Sequence, residues 1–412
     1  MSTREQRIIG ERIKQARLAS GMTQDEVSES LAALEGPSLT KAGLSKYERG
    51  GSVPKPSMLR ALARVFGVSP DFFLEESQVA VRWLAFRKGS GLSKGDQAQI
   101  QTVAAVQVEA FVTLLRALEP RRDVRAPTRT RVESPDDAER ASAVVRKEWR
   151  LGDQPIESVT TTIEDSGGIV LEVGGEADVF DGLSGWANET IPVVAVRPWV
   201  SDDRRRFSLA HELGHLFMEL EDVDPKTEER LAHRFAAAFL VPADVARREL
   251  GEKRRHLDFA ELAILKRKHG LSMQAWIFRA ADLEIIDQAH ARTLFANLSA
   301  RGWRKEEPVK FEGREQPFRL RQLTVRAVAE GLLTRVQAKR ICPQALTDLG
   351  EEVPPTPGSM DARTLLKLPK DERDRLMEQA AALVEGDYRE GGSLTGFEAL
   401  SEEDHRDKPV DD

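Results

Sequence analysis

The five residues from His211 to His215 follow the pattern H-E-x-x-H, which constrains this chain more than any other feature. On a helix, positions 211 and 215 lie one turn apart on one face, so both imidazoles can reach one metal ion. Glu212 then stands beside a metal-bound water, whose pKa zinc lowers to about 7, and can take its proton as hydroxide attacks a peptide carbonyl. Apolar residues around the motif indicate the buried side of a helix. The pattern therefore predicts a helical metal site.

A catalytic zinc site needs a third protein ligand. The segment 227–242 predicts a second helix, and Glu229 and His233 lie four residues apart on one face of it. Either residue is a candidate ligand, and the other would orient a ligand imidazole. Glu228 is turned about 100° away from Glu229 and is expected to be solvated. The alternative is that Glu229 and His233 form an ordinary exposed helical pair.

Composition limits the class of protein. The chain has 412 residues, of which 40% are hydrophobic and 31% charged, as in a protein of two or three folded domains. Its single cysteine, Cys342, excludes an internal disulfide and a cysteine-based zinc site, and is expected to be buried. No run of 18 apolar residues and no signal peptide are present, so we expect a cytoplasmic protein without membrane contact. The net charge of −7 means that any DNA binding depends on a local surface.

Residues 4–74 predict a bundle of short helices. Thr23 and Glu26 form a capping box that opens the second helix, and Thr40 caps the third. Gly50-Gly51 ends the third helix, and a proline-containing loop precedes the fourth.

Through Met22-Thr23-Gln24 and the stretch 44–50, this segment resembles the Xre/Cro-repressor helix-turn-helix family. The resemblance implies that a third helix enters the major groove of an operator and that the protein binds DNA as a homodimer. The link at 35–39 is longer than the usual tight turn. A helical dimerisation or protein-binding module is the alternative. The implied base-facing residues are Lys41, Ala42, Ser45 and Lys46, and the residues implied near phosphates are Gln24 and Arg49.

The rest of the chain alternates helical and strand patterns. Residues 80–118 predict a long helical connector, and the five arginines between 121 and 131 mark a linker, either a solvated hinge or a DNA-phosphate contact. From Pro135, the pattern predicts helices at 138–149 and 156–166, strands at 169–173 and 191–196, and a polar glycine-rich loop at 180–185. His256 and His269 follow in two helical stretches and are expected to be exposed and structural.

A second resemblance covers roughly residues 138–290. The stretches 207–215, 229–237 and 240–242, with Phe180-Asp181-Gly182 and Arg206, are similar to the ImmA/IrrE metallopeptidase family. The family comparison implies His211, His215 and Glu229 as metal ligands and Glu212 as the catalytic carboxylate. His233 stands where the family more often has Asn or Asp, so it is expected behind the ligands or as an alternative ligand.

One departure concerns stabilisation of the oxyanion. The only tyrosines are Tyr47 and Tyr388, neither in the peptidase region, so an arginine, a distal histidine or the metal would have to do this work.

These patterns predict an α+β, mostly helical fold: an all-α bundle, then a zincin-like metallopeptidase domain with a small β-sheet, then a helical C-terminal region. The expected parts are a helix-turn-helix domain (1–76), a helical connector and Arg-rich linker (77–134), the peptidase domain (135–292), a helical region (293–390) and an acidic disordered tail (391–412), with a linker at 354–358.

The leading hypothesis is a DNA-binding regulator with a zinc-dependent endopeptidase domain that cleaves itself, a repressor or a partner in a stress or mobile-element response. Mn²⁺ or Fe²⁺ are alternative metals. A second hypothesis is a regulator whose metallopeptidase fold is a sensor without turnover, and a third is an antitoxin-like repressor. The intact Glu212 favours the first hypothesis, and the missing tyrosine favours the second.

Overall fold

The structure is a computed structural model that describes residues 3–34, 36–88, 93–173, 180–198 and 200–346. The expected linker at 354–358 and the acidic tail lie outside the described residues. Most of the described chain is helical, with one small mixed sheet, so the predicted fold class is confirmed.

The N-terminal unit folds as the capping pattern predicts. Thr23 Oγ1 accepts from the Glu26 amide while the Glu26 carboxylate accepts from the Thr23 amide, and Thr40 Oγ1 accepts from the Gly43 amide. Gly50 follows the third helix at a φ of 67°, which favours glycine. The unit contains α1 (Thr3–Ala19), α2 (Gln24–Ala33), α3 (Lys41–Glu48), α4 (Pro56–Phe66) and a 3₁₀ turn (Pro70–Phe73) around one apolar core.

The remaining elements form a larger α+β unit. The strands are β1 (Val81–Lys88), β2 (Thr130–Arg131), β3 (Ile169–Glu172), β4 (Phe180–Ala187), β5 (Ile191–Val196) and β6 (Met218–Glu219). The helices are α5 (Lys94–Leu118), α6 (Pro135–Glu148), α7 (Val159–Asp165), α8 (Asp202–Phe217), α9 (Pro225–Leu240), α10 (Ala243–Leu250), α11 (Phe259–His269), α12 (Met273–Asp282), α13 (Gln288–Ala300), α14 (Arg319–Ala329) and α15 (Arg335–Ile341), followed by a 3₁₀ turn (Pro343–Leu346).

A four-stranded sheet in the order β1-β4-β5-β3 forms the middle layer. β4 runs antiparallel to both β1 and β5, and β3 runs parallel to β5. Alternate residues of β5 enter different cores: Val194 and Val196 pack towards α8 and α9, whereas Val193 and Ala195 pack towards α5. Because both faces are covered, the apolar runs at 169–171 and 191–196 are continuous, as in other buried strands.

The structure corrects three expectations. Residues 81–88 form a strand of this sheet, so the predicted helix over 80–118 is right only from Lys94 onward. The predicted loop at 180–185 is the start of β4. His269 is 2% exposed, hydrogen-bonds Glu249 and contacts the Trp276 ring, so it is structural but not exposed.

Helix α5 joins the two units. Among the described residues it is the one helix that is long and apolar enough to span a membrane by length and composition. Its Ala104, Val108 and Phe111 are buried in the core between α5 and the sheet, so this apolar face is covered within the protein. On its other side, Glu109 accepts two hydrogen bonds of 2.6 Å from the Arg12 guanidinium of α1.

The Arg-rich segment runs along the larger unit and is held at several points. The Arg125 amide donates to the Ser166 carbonyl, and β2 pairs in parallel with β6. Arg129 and Arg131 form ion pairs with Glu219 and Glu221. The predicted solvated hinge is therefore wrong for this part of the chain, because its backbone is hydrogen-bonded to the larger unit.

Candidate metal centre

Helices α8 and α9 pack against each other and bring three donor side chains together. His211 is fully buried, His215 is 7% exposed, and Glu229 projects between them from α9 with its side chain 43% exposed. The His211 and His215 Nε2 atoms are 3.1 Å apart, and they lie 3.4 Å and 3.6 Å from the two Glu229 carboxylate oxygens. The structure thus assembles all three predicted ligands.

These separations fit a tetrahedral metal ion. Zinc binds imidazole nitrogens and carboxylate oxygens at about 2.0–2.2 Å, which places two ligands of a tetrahedron about 3.3–3.6 Å apart. The three observed distances fall close to this range. Two imidazoles and one carboxylate also form the donor set of many catalytic zinc sites. The residues present therefore fit zinc.

His233 lies at the same centre. Its ring centroid is 4.6 Å from that of His211, and its donor atom lies within 4.8 Å of the donor atoms of His211 and Glu229. His233 Nδ1 lies 2.6 Å from the Glu229 backbone oxygen. Because a carbonyl oxygen only accepts hydrogen bonds, the proton sits on Nδ1, and Nε2 is the nitrogen left to face the centre. His233 is half-buried, and one of its ring nitrogens donates to a backbone carbonyl, which is the usual arrangement of a histidine that binds metal through its other nitrogen.

Glu212 packs against one face of β4, where two residues of the strand contact its carboxylate. It is fully buried, and its Oε2 accepts a 2.7 Å hydrogen bond from Ser184 Oγ. A Cβ at Gly182 would stand 2.3 Å from Glu212 Oε1, so only glycine fits there. The glycine of the Phe180-Asp181-Gly182 motif is thus explained by the close approach of β4 to this carboxylate.

Glu228 is not simply solvated, as its helical position predicted. Its carboxylate lies 3.1 Å from His215 Nδ1, although the side chain remains 41% exposed. An imidazole presents its two nitrogens in different directions, so two helix positions about 100° apart can contact one ring from different sides. Glu228 thus fixes the tautomer that leaves Nε2 of His215 directed at Glu229 and His211.

The charges at the centre favour a bound cation. Burial lowers the pKa of His215, but the hydrogen bonds that it donates to Glu228 and Glu229 and the charge of Glu212 outweigh burial and raise the pKa to about 9. The pKa of Glu229 is lowered, chiefly by its hydrogen bonds with His211 and His215. Without an ion the site therefore holds protons that a metal must displace, so metal binding releases protons.

An open cleft of about 860 Å³ reaches the centre at His233. Phe207, Asp181 and Phe278 are among its lining residues, and Phe278 is 56% exposed. A slightly larger cavity of about 940 Å³ lies elsewhere, around Arg230, and includes none of the predicted metal-site residues. We regard the smaller cleft as the approach to the site because, of the two, it alone is lined by a residue of the centre, His233.

Arg206, part of the family resemblance, is not available to a substrate. It is fully buried, and its guanidinium donates to Glu315 and to the carbonyls of Ile156 and Glu157. Glu315, itself fully buried, accepts from the amides at the start of α7. Arg206 therefore anchors the chain after α13 to the domain and does not take the role of the missing tyrosine.

The predicted DNA-contacting residues lie on or beside α3. Lys41, Ala42, Lys46 and Arg49 are exposed and Ser45 is half-buried. Lys41 forms an exposed ion pair of 2.6 Å with Asp25, which DNA phosphates would have to replace. Gln24 donates to Glu48, which also accepts from Arg17 inside the unit.

Gln24 is thus engaged within the protein and fixes α2 against α3. The link between those helices spans 34–40, which confirms the predicted long connection.

Three residues of the metal centre were missed by the sequence reasoning or given another role: Ser184, Gly182 and Glu228. Gly182 and Ser184 are two positions apart in a stretch with two glycines. Had this stretch been predicted as a strand, both residues would have been placed on one face of it. Glu228 had no signal of its own beside Glu229.

Comparisons with known proteins agree with this arrangement. Residues 175–280 match the peptidase M78 family described as IrrE N-terminal-like domain, and residues 13–73 match a helix-turn-helix family. The chain joins a helix-turn-helix domain to an IrrE N-terminal-like domain. β1 lies between the two matched regions, and so does the whole of α5.

A curated relative matches the N-terminal part. The chain is 34% identical over 68 residues to the SPbeta prophage-derived uncharacterized HTH-type transcriptional regulator YonR of Bacillus subtilis (strain 168). The match covers 16% of this chain and 57% of that protein. No solved structure matches the chain. The comparisons thus support a DNA-binding regulator with a metallopeptidase-like domain.

Proposed function

We propose that this chain is a DNA-binding transcription regulator whose second domain is a zinc-dependent endopeptidase acting on a regulatory protein. The observation that carries the proposal is the convergence of His211, His215 and Glu229 at metal-ligand separations beside the buried Glu212. We assign the first three as ligands and Glu212 as general base. A bound zinc ion would supply Lewis acidity to a peptide carbonyl and to water.

The protein's own groups divide the remaining work. Ser184 hydrogen-bonds one oxygen of Glu212 and so fixes the orientation of the carboxylate that we assign as the proton acceptor. Glu228 keeps His215 in the tautomer that can bind metal. His233 donates from Nδ1 to the Glu229 carbonyl, so we assign stabilisation of the oxyanion, which a tyrosine provides in other zinc peptidases, to the metal itself.

DNA binding is assigned to the first 76 residues, read through Lys41, Ala42, Ser45 and Lys46, with Gln24 and Arg49 near phosphates. This family of folds binds palindromic operators as dimers, so we propose a homodimer on DNA in the cytoplasm. The substrate is the chain itself, a repressor or a partner regulator. The peptidase would thereby be brought to the regulatory complexes on which it acts.

A single observation favours the sensor as second candidate. His233 brings a fourth protein donor, the third imidazole, close to His211 and Glu229, and zinc sites with four protein ligands are structural rather than catalytic. In that case the metal would set the conformation of the regulator without turnover.

Three variants test these functions. The double change His211→Ala and His215→Ala should abolish the binding of about one transition-metal ion per chain, measured by elemental analysis. Glu212→Gln should keep the metal but lower the cleavage of co-purified neighbouring gene products by at least about 100-fold. If Glu212→Gln leaves regulation in cells unchanged while His211→Ala disrupts it, the sensor replaces the enzyme. Full metal retention in the double variant would refute the site itself.

A further inference from the structure

The β4 strand has one edge paired with β5 and the other paired with β1. β1 is not contained in either matched family region but comes from the segment between them. It covers β4 along its whole length, from Val81 opposite Ala187 to Lys88 opposite Phe180. Without β1, the backbone groups along this edge of β4 would be open for an extended peptide to add a strand.

This edge runs past the proposed general base. Arg87 pairs with Gly182, the glycine against which Glu212 packs, and β1 also contacts α8. Residues opposite each other on antiparallel strands have Cα atoms about 4.5–5.5 Å apart. The β1 backbone beside Gly182 therefore lies in the position that a peptide bound along β4 would need in order to approach Glu212.

The attachment of β1 is built by particular residues. Trp83 is half-buried in the core on the α5 side of the sheet, away from Glu212, and lies over Gly185. A Cβ at Gly185 would stand 2.5 Å from the Arg82 carbonyl and 2.9 Å from the Trp83 ring, so glycine permits this close contact. The next residue, Leu84, is 40% exposed and is not among the residues packed against that core.

We propose that β1 is an internal competitor for the peptide-binding edge of the peptidase domain, and that an extended polypeptide substrate pairs with β4 only after β1 leaves it. The inference rests on the proposed peptidase and names how its substrate is bound: as an unfolded or extended segment. The strand is contributed by the connection to the DNA-binding unit, so access to the site is linked to that unit.

The first test measures peptide binding and needs no turnover. A fluorescent peptide with the sequence of residues 79–88 is titrated with the full chain, with Trp83→Ala and with the matched control Leu84→Ala. Since apparent affinity scales with the open population, Trp83→Ala should bind at least about tenfold more tightly than the other two proteins. Equal binding by all three, or binding by none, would overturn the proposal.

The second test locks the strand. The Asn188 amide donates to the Ala80 carbonyl, so the next pair, Val81 and Ala187, is a non-hydrogen-bonded pair with side chains close enough for a disulfide. Val81→Cys with Ala187→Cys, added to Trp83→Ala, should abolish the gain in peptide binding when oxidised and restore it when reduced. Because the natural Cys342 is buried in the same core as these two positions, it is replaced by alanine in all of these proteins. An oxidised protein that still binds the peptide tightly would refute displacement of β1.

The two proposals fail separately in a cleavage assay on an unfolded protein such as casein. If Trp83→Ala binds peptide in the expected manner but cuts nothing in the presence of zinc, the endopeptidase is wrong and the binding edge stands. If the wild type cuts casein as fast as Trp83→Ala, and the oxidised lock does so too, the competitor is wrong and the endopeptidase stands.

Discussion

Glu228 offers the sharpest test of how the metal centre is organised. Glu228→Gln keeps the size of the side chain but removes the charge that faces His215 Nδ1 at 3.1 Å. Losing a partner behind a metal ligand costs about 10- to 100-fold in metal affinity. Because the Glu228 side chain is 41% exposed, solvent takes over part of its role, and we expect the low end of this range. That is about tenfold, or about 1.4 kcal/mol.

The assay is competition for Zn²⁺ against a chelating dye at fixed pH. Glu229→Gln removes a charged ligand rather than a residue behind one. Its Zn²⁺ affinity should therefore fall by more than about 100-fold, the largest loss expected for a residue behind a ligand. Glu252→Gln, with a side chain 80% exposed, serves as the matched control and should bind like the wild type. Wild-type affinity in Glu228→Gln would show that it does not orient His215, and wild-type affinity in Glu229→Gln would remove it from the ligand set.

Two further predictions concern other parts of the chain. Lys46→Ala should weaken operator binding by about 1–3 kcal/mol in a gel-shift titration if Lys46 contacts a base. The control Lys14→Ala, on the exposed side of α1, should leave operator binding unchanged. Equal losses in the two variants would contradict the assignment of α3 as the DNA-reading helix. Burial raises the pKa of Glu164 from 4.5 to about 7, so the stabilising effect of this group is complete below about pH 4.5 and is lost as the pH rises through 7. The unfolding free energy of Glu164→Gln should therefore rise relative to that of the wild type between pH 5 and pH 8, by up to about 3 kcal/mol. A difference that does not change with pH would contradict this prediction.

The parts of the fold that were predicted from the sequence are specified by local chemistry. Thr23 and Glu26 satisfy each other's backbone across one helical turn, so the capping box could be recognised without any tertiary information. The same holds for His211 and His215, whose spacing alone places them on one face. Glu229 was predicted only as one of two candidates, and the family comparison selected it.

The parts that were missed depend on contacts between distant segments. β1 has strand character only because β4, about a hundred positions later in the chain, offers it an edge; its own residues are equally compatible with a helix. Two glycines made 180–185 look like a loop. Gly182 is required by the close contact with Glu212, and Gly185 by the close contact with β1. Neither requirement is visible within the segment itself.

The position of β1 leads to a last prediction about coupling. Its two ends are held, one by the helix-turn-helix unit and the other by α5, and the Arg12–Glu109 pair fixes these two partners to each other. Arg12→Gln should loosen this constraint and raise binding of the 79–88 peptide in the same direction as Trp83→Ala. Linkage is reciprocal, so if operator DNA favours release of β1, the peptide must strengthen operator binding by the same factor. Operator affinity is therefore measured with and without saturating peptide in Trp83→Ala. An unchanged operator affinity would show that DNA binding and the release of β1 are not coupled.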